Sequence, residues 1–457
     1  SSAGVTRVCI YGRGLVGLAL CVALCVALCA VSIHAQDAHY WNTHFGERSI
    51  LLGGTVIGSV TDLSAAYYNP GAIGVTTKPR LGLGSQIMEI SKISIDNGRV
   101  DGHKLEQLSL IPRPGLVAGS VPFDTNSAFQ WTYVLLTRNR FEFDIIDHRI
   151  TAQRNSDVQL QENLSETWAG VCVSRPITEQ LGVGMTLFGA YRTHGRLGAT
   201  LQGAYDSAGA RAVSYASDVK YVSTRVLAKF GVMYTHGDWT AGLSLTTPSI
   251  HIFGSGSVYE RITIAGTAND RIAAIHQTTL PARFKSPFAL GLGGSYRMDR
   301  TRVHFSAEWF APVNGYNLID TEIDTINSIS PEAPIVREHL RNVVNFGVGI
   351  EYHQTEVLGW HGSIVSDFSA LDRDHASTLS IATWNIVHFT GGIVLALPQF
   401  TLTTGVSYSV GRDGKYFVNR DVDVLDILIG DGGAVAQPVS LSWHRIKIVG
   451  GIAVVID

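Results

Sequence analysis

Asn342-Val343-Val344-Asn345-Phe346-Gly347-Val348-Gly349-Ile350-Glu351-Tyr352-His353 sets Asn342, Val344, Phe346, Val348, Ile350 and Tyr352 on one parity and Val343, Asn345, Gly347, Gly349, Glu351 and His353 on the other. Successive side chains of a strand point to opposite faces, so this period of two predicts an extended strand with one apolar face and one small or polar face. The pattern recurs. Phe400, Leu402, Val406, Tyr408 and Val410 alternate with Thr401, Thr403, Gly405, Ser407 and Ser409, and Val303/Phe305/Ala307/Trp309 with Arg302/His304/Ser306/Glu308. Trp239/Ala241/Leu243/Leu245 and Phe288/Leu290/Leu292 follow the same rule.

Spacing chooses between a soluble sandwich and a barrel. Strands are expected at 80–95, 114–121, 128–140, 163–175, 181–192, 219–235, 239–249, 285–297, 301–311, 342–353, 358–368, 383–396, 400–411 and 443–456, fourteen in all. Short connections fall near Pro122–Ser127, Pro176–Gln180, His236–Asp238, Met298–Arg300, Gln354–Val357 and Pro398–Gln399. Long ones cover 96–113, 141–162, 193–218, 250–284, 312–341, 369–382 and 412–442. An even strand number with short turns at one rim and long loops at the other is the pattern of an outer-membrane barrel, whose closure pairs every backbone group where no water is available. Trp131, Trp239 and Trp360 fall near the short-turn ends, and Trp168, Trp309, Trp384 and Trp443 near the other, as two interfacial belts require.

Composition agrees. Charged residues make up 16% of the 457, against roughly 25% in soluble domains, and 48 are glycine. Lys and Arg number 35 against 38 Asp and Glu, a net charge of −3, which gives a nucleic-acid partner no support. No apolar run beyond residue 35 approaches the ~20 residues of a membrane helix.

Residues 1–35 read as a signal peptide: Arg7 and Arg13, an apolar run through two Cys-Val-Ala-Leu repeats, then cleavage after Ala35. Its loss removes four of five cysteines and leaves Cys172, so no disulfide framework is expected. Gly12-Arg13-Gly14-Leu15-Val16-Gly17 spells a dinucleotide fingerprint, but an apolar run follows where that motif needs a second strand ending in an acidic residue. The domains expected are therefore 1–35 signal peptide, 36–79 plug and 80–457 transmembrane barrel.

Residues 36–79 do not alternate. They hold Gly53-Gly54-Thr55 and then Asp62-Leu63-Ser64-Ala65-Ala66-Tyr67-Tyr68-Asn69-Pro70-Gly71-Ala72-Ile73-Gly74. This stretch resembles the hatch of the FadL-type outer-membrane transporters of long-chain fatty acids and aromatic hydrocarbons, as do Ser286-Pro287-Phe288-Ala289-Leu290-Gly291 and Asn345–Tyr352 before later strand pairs. The resemblance covers nearly all of 36–457. It implies an all-β transmembrane antiparallel barrel of about 14 strands around a small N-terminal helical plug, with Tyr68, Asn69, Pro70 and Gly71 as its ligand-binding or gating motif. It further implies a monomer in the outer membrane of a diderm bacterium, among outer-membrane lipids, that passes a hydrophobic small molecule through an apolar pocket by plug or wall rearrangement. Gly71 stands where the family usually has Ala, and a looser plug backbone is expected there.

If the apolar faces meet lipid, Arg225, Lys229, Arg302, His304, Glu308, Glu351, His353, Arg445 and Lys447 line the lumen. They are expected to form ion-pair networks between wall and plug, with Arg225, Lys229, Arg302 and Arg445 as candidates to meet a ligand carboxylate. No enzyme is indicated: Asp147-His148 and Asp374-His375 are pairs in long loops, and the 16 histidines show no metal-binding spacing, so neither cofactor nor metal is expected. Hydrophobe transport leads. A porin-like channel for polar solutes and a structural or adhesive surface barrel are the alternatives.

Overall fold

The computed structural model describes residues 39–76, 80–96, 103–121, 128–152, 154–206, 209–266, 270–322, 336–370, 384–413 and 440–455. Residues 1–35, expected to be a signal peptide, lie outside them. Fourteen strands close an antiparallel barrel. The first seven are β1 (Arg80–Asp96), β2 (Leu105–Val121), β3 (Gln130–Ile150), β4 (Arg154–Pro176), β5 (Leu181–Asp206), β6 (Gly209–His236) and β7 (Trp239–Thr246). After β8 (Ile250–Ala265) and β9 (Arg271–Pro281), the wall resumes with β10 (Ala289–Met298) and β11 (Thr301–Phe310). A hairpin of β12 (Val313–Ile319) and β13 (Val336–Leu340) precedes β14 (Val343–His353), β15 (Leu358–Asp367), β16 (Asn385–Ala396), β17 (Phe400–Asp413) and β18 (Ser440–Val455). β1 pairs with β18 from Arg80↔Val455 to Asp96↔Ser440, which closes the ring.

The expected number of wall strands stands, but several expected loops do not. Residues 141–150 and 154–162 extend β3 and β4, and most of 193–218 extends β5 and β6, to 26 and 28 residues. Within 250–284, β8 lengthens the same wall by pairing onto β6, and β9 pairs onto β8. Once past the bilayer a strand needs no lipid-facing apolar row, so its outer parity turns polar, as in Glu142, Asp144 and Gln161, and the alternation fades.

Leu83, Leu135, Val171, Leu187, Leu243, Leu292, Phe305, Ile350, Ile364, Val406 and Ile448 are exposed on the outer face, the apolar band that a lipid-facing wall requires. The tryptophan belts need correction. Trp131, Trp239, Trp360 and Trp309 are exposed, but Trp168, Trp384 and Trp443 are buried, the last two stacked at 5.6 Å. Position along a strand gave their height; face parity, which Trp168 shares with Glu166, Gly170 and Cys172, decides their direction.

Residues 39–76 fill the lumen. Phe45, Leu51, Leu52, Val56, Val60 and Leu63 are fully buried, each worth about 1.5–3 kcal/mol relative to exposure. The segment ends in α1 (Ala65–Tyr68), a 3₁₀ turn at Pro70–Ala72 and α2 (Ile73–Thr76). Among the described residues no helix is long and apolar enough to cross a membrane.

Candidate ligand cavity and wall seam

The Tyr-Asn-Pro-Gly motif seats the plug. Asn69 Nδ2 donates to the carbonyls of Ile57 (2.7 Å) and, on β6, Val232 (2.9 Å), while its Oδ1 caps the 3₁₀ turn by accepting from Gly71 N (3.1 Å). Tyr68 Oη accepts from Phe45 N (3.0 Å). Pro70 faces Gly231, where a Cβ would come within 2.7 Å of its Cδ. A Cβ on Gly71 would meet the carbonyl oxygens of Gly231 at 2.7 Å and Gly182 at 2.8 Å. At Gly71 the structure adds a constraint that the sequence does not show: a side chain there would crowd the wall backbone that the plug approaches.

Above this seat lies a cavity of about 60 Å³ that is open at its mouth. Aromatic rings form much of it: Tyr40, stacked on Phe310 at 4.0 Å, Tyr67, Trp168 and Phe284. A second void of about 10 Å³, room for about one water, shares Tyr40, Tyr67, Lys229 and Glu308 with it and reaches Gly53 and Gly54 inside the plug.

Charge in the cavity is paired, with one exception. Glu166 accepts from Arg192 (2.8 Å), Arg225 (2.6 Å) and Trp168 Nε1 (2.6 Å). The two guanidiniums also lie over the Phe284 ring, at 3.9 and 4.7 Å. Glu308 holds Lys229 (3.3 Å) and Trp41 Nε1 (2.8 Å). Arg138, only 8% exposed, stands over the rings of Tyr67 (5.7 Å) and Trp168 (5.6 Å) and forms no ion pair among the described residues.

Arg138 sits where the wall opens. β2 and β3 pair only from Leu116↔Leu136 to Val121↔Trp131; beyond that β2 (105–113) pairs with β1 and β3 (137–150) with β4. A register shift between Thr137 and Asn139 turns both Arg138 and Asn139 inward at the point of parting. Across the gap Asp144 N donates to Gln107 Oε1 at 2.8 Å.

Of the four basic residues singled out from sequence, Lys229 alone lines this cavity, and Arg225 stands behind it on Glu166. Arg445 is elsewhere, donating to the plug carbonyl of Asn42 (3.2 Å) and facing Glu89 (3.7 Å). Arg302 is half-buried in register with Glu351, near the short-turn rim. His304, Glu308, Glu351 and Lys447 are buried inside as expected, whereas His353 emerges at the rim. Sequence reading missed Arg138, Glu166, Arg192 and Tyr67; inward parity marks Glu166 with Trp168, but the bulge conceals Arg138.

No protein-family model matches the chain, and no curated protein sequence does. Solved structures do. A FadL homologue of Pseudomonas aeruginosa aligns over 93% of this chain and 100% of its own, with a TM-score of 0.57 at 13% identity. The fold is that of the FadL-type barrels. Two further FadL-type structures are the toluene transporters TodX of Pseudomonas putida (91% and 98% covered, TM-score 0.59, 12% identity) and TbuX of Ralstonia pickettii (91% and 99%, 0.52, 12%). At such identity the likeness speaks to the fold alone.

Proposed function

We propose that this protein is a passive outer-membrane transporter of hydrophobic small molecules, exported with cleavage near Ala35 and acting as a monomer. A molecule enters from the side of the long strands, rests among the rings above the plug and leaves sideways between β2 and β3. The observation that carries this reading is the junction of an aromatic cavity with a parted wall seam at Arg138.

The seam begins at Arg138, at the upper edge of the apolar band, and a cargo leaving there at the lipid interface is an apolar one. Each buried CH2 gains about 0.8 kcal/mol, so rings can draw a chain from water, and exit into the bilayer keeps it out of water again. The cavity also favours an acidic head. Arg225, Lys229 and Arg192 already have carboxylate partners, which leaves the Arg138 guanidinium for a carboxylate, as a bidentate donor. Long-chain fatty acids and aromatic acids fit this description best; neutral arenes such as the toluene of TodX would use the rings alone.

The test is uptake of labelled oleate and labelled toluene by cells with and without the gene. Faster uptake of either supports the proposal, and equal uptake of every hydrophobe tried rejects it.

A further inference from the structure

We propose that the wall holds a second parting, between residues 250–253 of β8 and residues 283–285, through which a hydrophobic acid lying in the outer leaflet enters the cavity. The proposal rests on the reading of the protein as a hydrophobe transporter. It gives the entry of the cargo a place.

Two neighbouring wall strands break at one height. β7 ends at Thr246 and its line resumes as β8 at Ile250, while β9 ends at Pro281 and β10 begins at Ala289. Pro248 and Pro287 lie in the breaks, where a residue without an N–H interrupts a ladder. Below the breaks Ala289 pairs with Thr246, and above them Pro281 pairs with Ser255. At the two ends of the parting Ser286 N donates to Ser249 Oγ (2.9 Å) and Ala282 N to the carbonyl of Gly254 (3.4 Å). The three residues between turn away from β8. Arg283 N donates to the carbonyl of Leu318 on β12 (2.8 Å), Phe284 N to Ser223 Oγ on β6 (3.3 Å) and Lys285 N to Tyr316 Oη on β12 (3.0 Å). Among the described residues no hydrogen bond joins 283–285 to 250–253, so β8 presents a bare edge there.

The two lips suit a cargo with an apolar body and an acidic head. Ile250, Ile252 and Phe253 are 68, 60 and 59% exposed, a contiguous apolar patch of the kind that marks a binding surface. A register shift between Thr224 and Arg225 adds the extra residue that turns them out. Trp309, in register through Leu290 with Leu245, sets the interfacial belt just below. The opposite lip is cationic. Arg283 pairs with Asp320 (3.2 Å), whereas Lys285, exposed and 4.6 Å over the Tyr316 ring, forms no ion pair among the described residues. A carboxylate held at the headgroup level thus meets Lys285 while its chain lies against Ile250, Ile252 and Phe253. Behind the lips Phe284 is buried under the guanidiniums of Arg192 and Arg225, and it lines the cavity together with Ser286 and Pro287.

Blocking the parting from outside tests it. Ile252→Cys places an exposed thiol on the apolar lip, while Cys172 is buried, so a bulky polyethylene glycol maleimide can be attached there. Leu201→Cys, at an exposed position near the tip of β5, is the control. Uptake of labelled oleate by cells should fall about tenfold or more when the Ile252→Cys protein is modified and stay the same when the Leu201→Cys protein is. Lys285→Glu should slow oleate about threefold, the scale of one surface charge contact, and leave oleyl alcohol unaffected. Equal uptake before and after modification of Ile252→Cys, or an equal fall in both thiol variants, overturns the parting as an entry. Equal effects of Lys285→Glu on acid and alcohol overturn its choice of an acid. If the unmodified protein gives cells no faster oleate uptake than cells without the gene, oleate transport itself is rejected instead.

Discussion

Asn69→Ala isolates the seat of the plug. The change deletes three hydrogen bonds, two of them buried, and takes the Asn69 amide from the carbonyls of Ile57 and Val232 and from the N–H of Gly71. Water cannot easily replace the amide, because the wall packs close: a Cβ on Gly242 would lie 2.6 Å from Asn69 Nδ2. Each buried group left unsatisfied costs about 1–3 kcal/mol, so two of them cost the seated plug about 3 kcal/mol. The wall is held by its own ladder, and most of this loss falls on docking. At 1.4 kcal/mol per factor of ten, plug opening rises about 150-fold. Hydrogen exchange reads it directly: plug amides between residues 56 and 72 should exchange about two orders of magnitude faster, with those of β14 to β18 unchanged. Wild-type exchange in the plug, or equal acceleration of plug and wall, refutes the idea that Asn69 holds an independently mobile segment.

Gly71→Ala drives a methyl into the carbonyls of Gly231 and Gly182, an overpacking worth about 1–3 kcal/mol, and should raise plug exchange in the same assay despite alanine's better backbone entropy. Arg138→Gln should weaken calorimetric binding of oleate by about 10- to 100-fold, the span of one charged hydrogen bond, and leave oleyl alcohol unaffected. Equal losses for acid and alcohol would assign Arg138 to packing. Cys172, buried in the wall, should resist maleimide in the folded barrel and react once it is unfolded, as mass spectrometry would record.

Strand number and orientation were legible because lipid imposes one apolar row per wall strand, as Val344 to Tyr352 display. The upper halves of β3 to β6 were not, since water beyond the bilayer lifts that demand. The plug motif was legible as a run, yet its energetics were not: Gly71 looks permissive in sequence and is confined only because Gly182 and Gly231 face it across the lumen. The cavity was hidden for a similar reason. Glu166, Arg192 and Arg225 meet through separations of 26 and 59 residues, and Arg138 points inward through a bulge that strict alternation does not forecast.

The account turns on sideways exit between β2 and β3, and locking that seam tests it. Gln107→Cys with Asp144→Cys places one thiol on each strand beside the parted seam, where a short reducible bismaleimide can tie the strands while Cys172 stays buried. Uptake of labelled oleate by cells bearing this variant should fall when the linker is attached and recover when it is cleaved. Uptake that is the same locked and unlocked would contradict the account.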